Sequence, residues 1–357
     1  MISGEYAVLE GAPCVAAAVD KYVYCSVKPW KGLRFRSKSL DLDWIEAVFD
    51  GCVLKWSKPL AVVGRGRVVF AEKAIETALN YLKDSGKIIE GMAIETKSEE
   101  TKAGGRKVGF GSSAAAVVAI IGGILKMHDY NLMDEYAKEI VFKLGCLAHY
   151  LAQGKLGSGF DIACATYGGV MVYTRFDAGW LERELKTGQT VRALVEQKWP
   201  GFTQRWLLVP KDFTLLCAFT GKSASTKELV KKVNEWKAKD KTKYGACLDG
   251  LRRATERFIQ AADAEDREQM LKALQENRRA LLELQKASGA ELETEELKVL
   301  AEAAEKAGAA GKLSGAGGGD CGIAVCFGPA AAEKIKASWR EAGLTPLEIL
   351  LAAEGVD

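Results

Sequence analysis

The spacing of apolar residues along the chain predicts a mixed order of helices and strands. Apolar side chains recur at helical intervals over residues 131–153 and 71–85, and each stretch predicts a helix. Short apolar runs at 91–96, 169–176 and 321–327 predict strands. Because strands and helices do not alternate regularly, the expected fold class is α+β.

Other stretches are assigned from weaker patterns. Residues 7–27 alternate apolar segments with turn residues, as a β-hairpin would, and 31–70 predict further short strands, ending in the β-rich run 67–70. The charge-rich stretch 244–307 has helical spacing, and its irregular heptads favour packed helices over a coiled coil. A composition shift near 199–201 places the expected boundary between domains 1–200 and 201–357.

Charge and cysteine content exclude several classes of function. The 357 residues include 50 basic and 47 acidic side chains, a balance that predicts no nucleic-acid partner and no membrane surface. Nine cysteines without a C-x-x-C pair, and only two histidines, argue against a zinc site and predict reduced thiols in a cytoplasmic protein. The uncharged stretch 108–125 contains several glycines, so we expect a buried helix beginning near Ser112 instead of a membrane span.

Three separated glycine-rich segments stand next to hydroxyl or acidic residues. They are Gly-Phe-Gly-Ser-Ser-Ala-Ala at 109–115, Gly-Ser-Gly-Phe-Asp at 157–161 and Lys-Leu-Ser-Gly-Ala-Gly-Gly-Gly-Asp at 312–320. Glycine lets backbone amides turn toward an anion, and a helix beginning nearby adds a partial positive charge. The combination predicts a polyphosphate site with an acid that handles a metal ion or a proton, and therefore phosphoryl transfer.

Each segment also has a purely structural interpretation. Ser112 could be the N-cap of the predicted helix, and Ser158-x-x-Asp161 could be a capping box. The four glycines within 315–319 could form a linker, but the apolar strand that follows favours an ordered loop with a close backbone approach.

Two common nucleotide-binding folds do not fit the first glycine segment. Gly109-x-Gly111-x-x-Ala114 matches the dinucleotide fingerprint, but a charged loop precedes it in place of a tight strand-to-helix turn. No Walker A loop occurs in the sequence. A Rossmann oxidoreductase is therefore the last of the alternatives.

A fourth segment, Thr-Gly-Lys-Ser-Ala-Ser-Thr at 220–226, precedes another predicted helix. Lys222, Ser223 and Ser225 cluster at its N-terminus, which would suit a substrate that already carries a phosphate. Helix capping through Ser225-x-x-Glu228 is the alternative, and it explains neither Lys222 nor Ser223.

Taken in this order, the segments resemble the GHMP small-molecule kinases over nearly the whole chain. Residues 4–13 (Gly-Glu-Tyr-Ala-Val-Leu-Glu-Gly-Ala-Pro) resemble the end of the first motif, 109–115 the phosphate loop and 312–319 the third motif. The resemblance implies an N-terminal domain like domain 2 of ribosomal protein S5, a ferredoxin-like C-terminal domain, and an active site between them.

Three details most resemble the members that phosphorylate 5-phosphomevalonate. They are Gly-Arg-Lys at 105–107, the segment 157–161 followed by Tyr-Gly-Gly at 167–169, and the segment 220–226. The implied function is the ATP- and Mg²⁺-dependent formation of 5-diphosphomevalonate in the mevalonate route to isoprenoids, by a monomer or homodimer whose partners are ATP and the phosphorylated acceptor.

The resemblance also implies a role for individual residues. Lys107 would neutralise charge on the transferring group, and Asp161 would orient or deprotonate an acceptor. Ser112 would lie near Mg²⁺. ATP phosphates would be bound by Gly109, Gly111, Ser112, Ser113, Ala114, Gly315, Ala316, Gly317 and Gly318. The acceptor would be bound by Ser158, Gly159, Lys222, Ser223 and Ser225.

Two alternatives stay open within this fold. One is a mevalonate kinase, which has a hydroxyl acceptor. The other is a binding protein with impaired catalysis, because the family's first motif normally begins with Pro-Gly-Lys upstream of Gly4-Glu5, and the given sequence begins at Met1, after that point. We expect the natural start to lie upstream; otherwise Lys107 would supply the positive charge alone.

Overall fold

The computed structural model describes residues 1–57, 62–99, 102–103, 106–154, 157–221 and 226–357. These residues form fourteen strands, eleven α-helices and two short 3-10 helices, Ala7–Glu10 and Lys38–Leu40. The strands are β1 (Pro13–Ala17), β2 (Val23–Pro29), β3 (Leu33–Ser37), β4 (Leu42–Phe49), β5 (Leu54–Trp56), β6 (Met92–Ser98), β7 (Lys102–Ala103), β8 (Arg106–Lys107), β9 (Val170–Thr174), β10 (Thr203–Trp206), β11 (Phe213–Phe219), β12 (Ala310–Leu313), β13 (Cys321–Phe327) and β14 (Thr345–Leu347). The helices are α1 (Val62–Asp84), α2 (Ser112–Met127), α3 (Glu135–Gln153), α4 (Phe160–Tyr167), α5 (Ala178–Glu184), α6 (Val191–Glu196), α7 (Thr226–Lys239), α8 (Lys241–Asp263), α9 (Arg267–Ser288), α10 (Glu295–Lys306) and α11 (Pro329–Glu341).

The strands make three sheets and one short hairpin. Their orders are β2-β6-β3-β4-β5, β1-β9-β10 and β12-β13-β11-β14, and β7 pairs with β8. Pairing is antiparallel except between β3 and β6. The predicted α+β class is confirmed.

Helices α1 and α2 pack against the five-stranded sheet, α3 packs on both helices, and together they form the first core. Helix α2 is buried because its sequence is apolar on nearly every side, from Ala114 to Leu125. It approaches strand β2 closely at Gly123, where a Cβ atom would lie 2.8 Å from Cγ2 of Val27. This packing fixes the N-terminal end of α2, where the first glycine segment ends.

The four-stranded sheet is buried on both faces. Alternate residues of β11 and β13 point to opposite sides: Cys217 and Ile323 belong to the cluster with α8 and α9, while Ala218 and Ala324 pack with α10 and α11. The first of these clusters also contains Ile2, Val15, Val108, Val170 and Leu207. It therefore joins the sheet to the N-terminal segment and to the residues preceding α2.

Two predictions from the sequence are wrong. Residues 7–27 do not form a hairpin, because β1 pairs with β9 and β2 pairs with β6, which are distant in the sequence. Residues 67–70 are not a strand but part of α1. Val68 is buried there, and tertiary burial outweighs the β preference of the valines.

Several other elements are confirmed within a few residues. Strands β6, β9 and β13 lie at the predicted runs, and the stretch 244–307 is the packed helices α8, α9 and α10. Helix α3 begins four residues later than predicted, where the Asp134 carboxylate accepts the Tyr136 amide hydrogen. The domain boundary near 199–201 stays a prediction; β10, which follows it, pairs with β9.

The stretch 108–125 is largely the buried helix α2. Among the helices of the described residues, none has the length and apolarity that a membrane crossing requires. All nine cysteines are free thiols.

We expect the first core to respond to loss of a buried side chain and not to loss of an exposed one. Ile75 on α1 is fully buried, whereas Ile88 is 84% exposed. Ile75→Ala should lower the free energy of unfolding by about 2–5 kcal/mol, because it leaves a cavity. Ile88→Ala should change it by about 0.5 kcal/mol or less. Urea unfolding followed by circular dichroism measures both, and equal effects would contradict this packing.

Candidate active site

A buried ion pair joins the first motif to the third glycine segment. The Lys312 ammonium pairs with the Glu5 carboxylate across 307 residues of sequence, and both side chains are fully buried. Lys312 Nζ also donates to the Leu313 carbonyl at 2.7 Å. Burial lowers the pKa of Lys312, and the charges of Glu5 and Glu293 oppose that shift. Since an unpaired buried charge is costly, the pair fixes the two segments relative to each other.

Hydrogen bonds around this ion pair strengthen the connection. The Tyr6 hydroxyl donates to the Ala316 carbonyl at 2.7 Å. The Met1 amino group donates to Ser314 Oγ at 3.2 Å, and Ser314 Oγ donates to the Met1 carbonyl at 2.9 Å. Tyr6 has a left-handed φ of 60°, unusual for a bulky residue. Burial raises the pKa of Tyr6, so its hydroxyl stays protonated and can donate.

The third glycine segment is an ordered loop. The Gly318 amide donates to the Leu292 carbonyl at 2.6 Å, and a Cβ on Gly317 would overlap that same carbonyl. The Asp320 carbonyl accepts the Thr220 amide at 2.9 Å and the Thr220 hydroxyl at 3.2 Å. The close backbone approach predicted for this loop is confirmed, and the linker interpretation is wrong.

The first glycine segment ends at the N-terminus of α2. Gly111, with φ of 73°, is the N-cap of this helix. Ser112 is the first helical residue, so its interpretation as the N-cap is wrong. The first turn of a helix leaves its amides without intrahelical partners, which applies to Ser112, Ser113 and Ala114. Their N–H groups, with the helix dipole behind them, can bind an anion.

The second glycine segment positions Asp161 beside that helix N-terminus. A Cβ on Gly111 would lie 3.6 Å from Cβ of Asp161. Asp161 is half-buried in the first turn of α4, and its Oδ1 accepts the Ile162 amide hydrogen at 3.1 Å. The structure therefore brings the first two glycine segments together.

The turn before Asp161 is built on Gly159, the N-cap of α4 with φ of 79°. A Cβ there would lie 2.7 Å from the Tyr173 hydroxyl, which donates to the Ser158 carbonyl at 2.8 Å. Ser158 is thus held through its backbone, and the capping-box interpretation is wrong.

His149, which the sequence analysis does not identify as a site residue, lies near Asp161. Burial lowers the pKa of His149, and the Asp161 charge opposes that shift. The imidazole packs against the Phe70 ring at 5.0 Å, and its buried Nε2 has no hydrogen-bond partner among the described residues. Two features of the sequence could have indicated a site residue: His149 is one of only two histidines, and it stands eight residues before the second glycine segment.

Arg175 was also missed, because it follows strand β9 without any motif. Its Nη1 donates to the Leu9 carbonyl at 3.0 Å, which ties the end of β9 to the first motif. Burial lowers the pKa of Arg175, and the nearby Tyr173, Cys146 and Glu10 oppose that shift.

The remaining predicted site residues stay predictions. Lys107 lies in strand β8, but its side chain is outside the description, and Lys222, Ser223 and Ser225 lie outside the described residues. Contacts are shown at the first residue of the fourth segment and at the far end of the helix that follows it. Thr220 bonds to Asp320 as described, and α7 is tied to the first motif by the ion pair of Lys237 with Glu10.

Two protein-family models match the chain. The model described as "GHMP kinases N terminal domain" matches residues 70–169, and "GHMP kinases C terminal" matches 258–344. Phosphomevalonate kinase from Streptomyces sp. (strain CL190) is 29% identical over 379 residues, covering 99% of this chain and 96% of the relative.

Two solved structures are similar over nearly their full length. The Lin0012 protein from Listeria innocua has a TM-score of 0.87 and 31% identity, covering 98% of this chain and 94% of that one. Streptococcus pneumoniae phosphomevalonate kinase, in complex with phosphomevalonate and AMPPNP, has a TM-score of 0.81 and 22% identity, covering 98% and 96%.

A methyl group at Gly159 should disturb the turn that carries Asp161. Both Gly159→Ala and Gly154→Ala place alanine at a left-handed φ, which costs about 1–2 kcal/mol. Only Gly159→Ala also clashes with a neighbour, the Tyr173 hydroxyl, since the space around Gly154 is open. We expect Gly159→Ala to lower the free energy of unfolding by about 1–3 kcal/mol more than Gly154→Ala. Urea unfolding measures the difference, and its absence would refute the close approach.

Breaking the buried ion pair should cost far more than breaking the exposed one. Lys312→Met leaves the Glu5 carboxylate buried and unpaired, and we expect a loss of about 3–5 kcal/mol in the free energy of unfolding. Lys237→Met, which breaks the exposed pair with Glu10, should cost about 0–1 kcal/mol. The double variant Glu5→Leu/Lys312→Met should recover most of the loss. If it is less stable than Lys312→Met, the unpaired charge is not the cause.

Proposed function

Because the chain belongs to the GHMP kinases, we propose that it transfers the γ-phosphoryl group of ATP to 5-phosphomevalonate and forms 5-diphosphomevalonate. The predicted two-domain kinase fold is confirmed by the same family models and by the similar solved structures. The observation that carries the proposal is the placement of Asp161 beside the N-terminus of α2. The third glycine loop is held to the first motif by the pair of Glu5 with Lys312.

The chemistry of phosphoryl transfer suits a site made largely of backbone. The transition state spreads negative charge over the phosphoryl oxygens and needs positioning and charge stabilisation more than covalent chemistry. The amides of Ser112, Ser113 and Ala114 would bind the ATP phosphates at the positive end of α2. The loop from Gly315 to Gly318 would cover the phosphates from the other side, and Lys107 would add a positive charge.

The residues around Asp161 also fit a magnesium ion. The described residues contain no cluster of three or more His, Cys, Asp or Glu that could hold a metal by themselves. None is required, because Mg²⁺ beside a nucleotide takes most of its ligands from phosphates and water and one or two from the protein. Ser112 in the first turn of α2 and Asp161 in the first turn of α4 both offer oxygen ligands, and they would hold the magnesium ion. When bound, the ion neutralises charge on the phosphates.

The acceptor proposed here needs little help from a base. A phosphate monoester has a second pKa of about 6, so it is mostly a dianion at neutral pH and can attack directly. Asp161 would then mainly orient the acceptor or hold the metal ion. Ser158 and Gly159, with Lys222, Ser223 and Ser225, are proposed to bind the acceptor.

The direct test measures ADP release from Mg-ATP with 5-phosphomevalonate, mevalonate, homoserine and galactose as separate acceptors. We expect release that depends on 5-phosphomevalonate. Turnover of mevalonate instead would identify a hydroxyl-phosphorylating kinase, and ATP binding without transfer to any acceptor would identify a binding protein of this fold. A version extended upstream by Pro-Gly-Lys, assayed in parallel, shows what that lysine adds.

Replacing the carboxylate should separate the two kinds of acceptor. General base catalysis contributes about 10²–10⁴-fold to a rate, so Asp161→Asn should reduce kcat by that factor if the acceptor is a hydroxyl. With a phosphate acceptor we expect the loss to stay below about tenfold. Steady-state kinetics with 5-phosphomevalonate measures kcat. Asp134→Asn is the control, because this exposed N-cap of α3 keeps its capping ability as asparagine. A loss of about 10³-fold in Asp161→Asn alone, at Mg²⁺ concentrations that saturate the variant, would overturn the orienting role of Asp161 and indicate a general base.

A further inference from the structure

The third glycine loop rests on the segment that connects α9 to α10. As described above, the Leu292 carbonyl accepts the Gly318 amide and leaves no room for a side chain at Gly317. This single carbonyl therefore constrains where Gly317 and Gly318 lie, in addition to the contacts at Ala316 and Asp320. Leu292 itself is fully buried, so the segment is part of the core.

A buried guanidinium holds the residue next to that carbonyl. Arg278 on α9 forms a two-pronged pair with Glu293: Nε lies 2.8 Å from Oε2 and Nη2 lies 2.9 Å from Oε1. Its Nη1 donates to Glu305 on α10 at 2.8 Å. The Arg278 side chain is 11% exposed and that of Glu293 only 4%. Burial by itself lowers the pKa of Arg278, but the bonds and charges of both carboxylates outweigh it and raise that pKa.

The backbone of the same segment is fixed independently. The Glu293 amide donates to Oε1 of Gln285 at 2.7 Å. The next residue, Thr294, is the N-cap of α10 and accepts the Leu297 amide hydrogen. Glu293 is thus held by its side chain and its amide, and neither contact is exposed enough to be replaced easily by water.

We propose that Arg278 is a positioning residue for the nucleotide-binding loop: through Glu293 it fixes the Leu292 carbonyl, and through that carbonyl it fixes Gly317 and Gly318. The inference rests on the proposed function only in that this loop covers the ATP phosphates. Arg278 lies on a different helix from any of the glycine segments, and it acts through two intermediate residues.

The chemistry explains why arginine is required. Its planar fork bonds to both oxygens of one carboxylate and to a second carboxylate at the same time, whereas lysine is a point charge without that geometry. Without the fork, the Glu293 carboxylate would be buried and unpaired, and it would turn toward water. The adjacent Leu292 carbonyl would then move, and the Gly318 amide would lose its partner.

The test compares Arg278→Met and Arg278→Lys with Arg252→Met. Arg252 on α8 forms similar ion pairs, with Asp249 and Glu256, but is 44% exposed and far from the loop in sequence. Two quantities are measured on the whole chain: amide hydrogen exchange of peptides across 313–320, and the equilibrium Kd for Mg-ATP. Circular dichroism sets a temperature at which every variant is folded.

We expect Arg278→Met to speed exchange at Gly318 and to raise the Kd for Mg-ATP about ten- to hundredfold, because losing one hydrogen bond to a charged phosphate has an effect of about this size. Arg278→Lys should be intermediate, and Arg252→Met should match the unchanged chain. If Arg278→Met does not fold, Arg278→Lys carries the test, since it keeps the positive charge but loses the fork. Gln285→Ala then shows separately how much the bond to the Glu293 amide contributes.

Unchanged exchange at Gly318 in the folded variants overturns the positioning role. Faster exchange with a Kd within twofold of the unchanged chain also overturns it, since the loop would then move without consequence for the nucleotide. If the unchanged chain binds no Mg-ATP, the proposed function fails. In that case the exchange data still show whether Arg278 holds the loop, but the proposal that Arg278 positions the loop for a nucleotide is refuted as well.

Discussion

The site depends on the buried ion pair between Glu5 and Lys312. Removing two charges from water is unfavourable unless each finds its partner, so a shift of either segment by one residue would leave both charges buried and unpaired. The pair therefore fixes the N-terminal segment against strand β12 and the loop after it. The bonds from Tyr6 to Ala316 and between Met1 and Ser314 join the same two segments in this register.

Close backbone contacts recur in all three glycine segments. Gly111 lies against Asp161, Gly159 against Tyr173 and Gly317 against Leu292, and each contact is too close or too unusual in φ for a larger residue. Glycine at these positions permits close backbone packing, and the amides of Ser112, Ser113 and Ala114 at the start of α2 have no intrahelical partner. This composition agrees with phosphoryl transfer, in which positioned amides and a cation stabilise charge and no protein nucleophile is needed.

The sequence predicted elements well where the local pattern and the tertiary environment agree. Helix α2 and strand β13 were found almost to the residue, because their apolar runs are long and bounded by clear turn residues. The start of α1 was misassigned because valines favour strands by propensity, whereas Val68 is buried in this helix. The predicted N-terminal hairpin is wrong because packing of the whole sheet determines which strands pair, and the partner need not be the next strand in the sequence.

For the site, the sequence by itself determined the motifs, their order, the family they resemble and the acid beside them. Only the tertiary structure decided that Gly111 and Gly159, not Ser112 and Ser158, begin their helices. It also decided that Lys312 pairs with Glu5 and that Arg278 pairs with Glu293. The physical reason is that capping and ion pairing depend on atoms contributed by segments far apart in the chain. Local spacing can show that a glycine is unusual, but not which distant atom requires it.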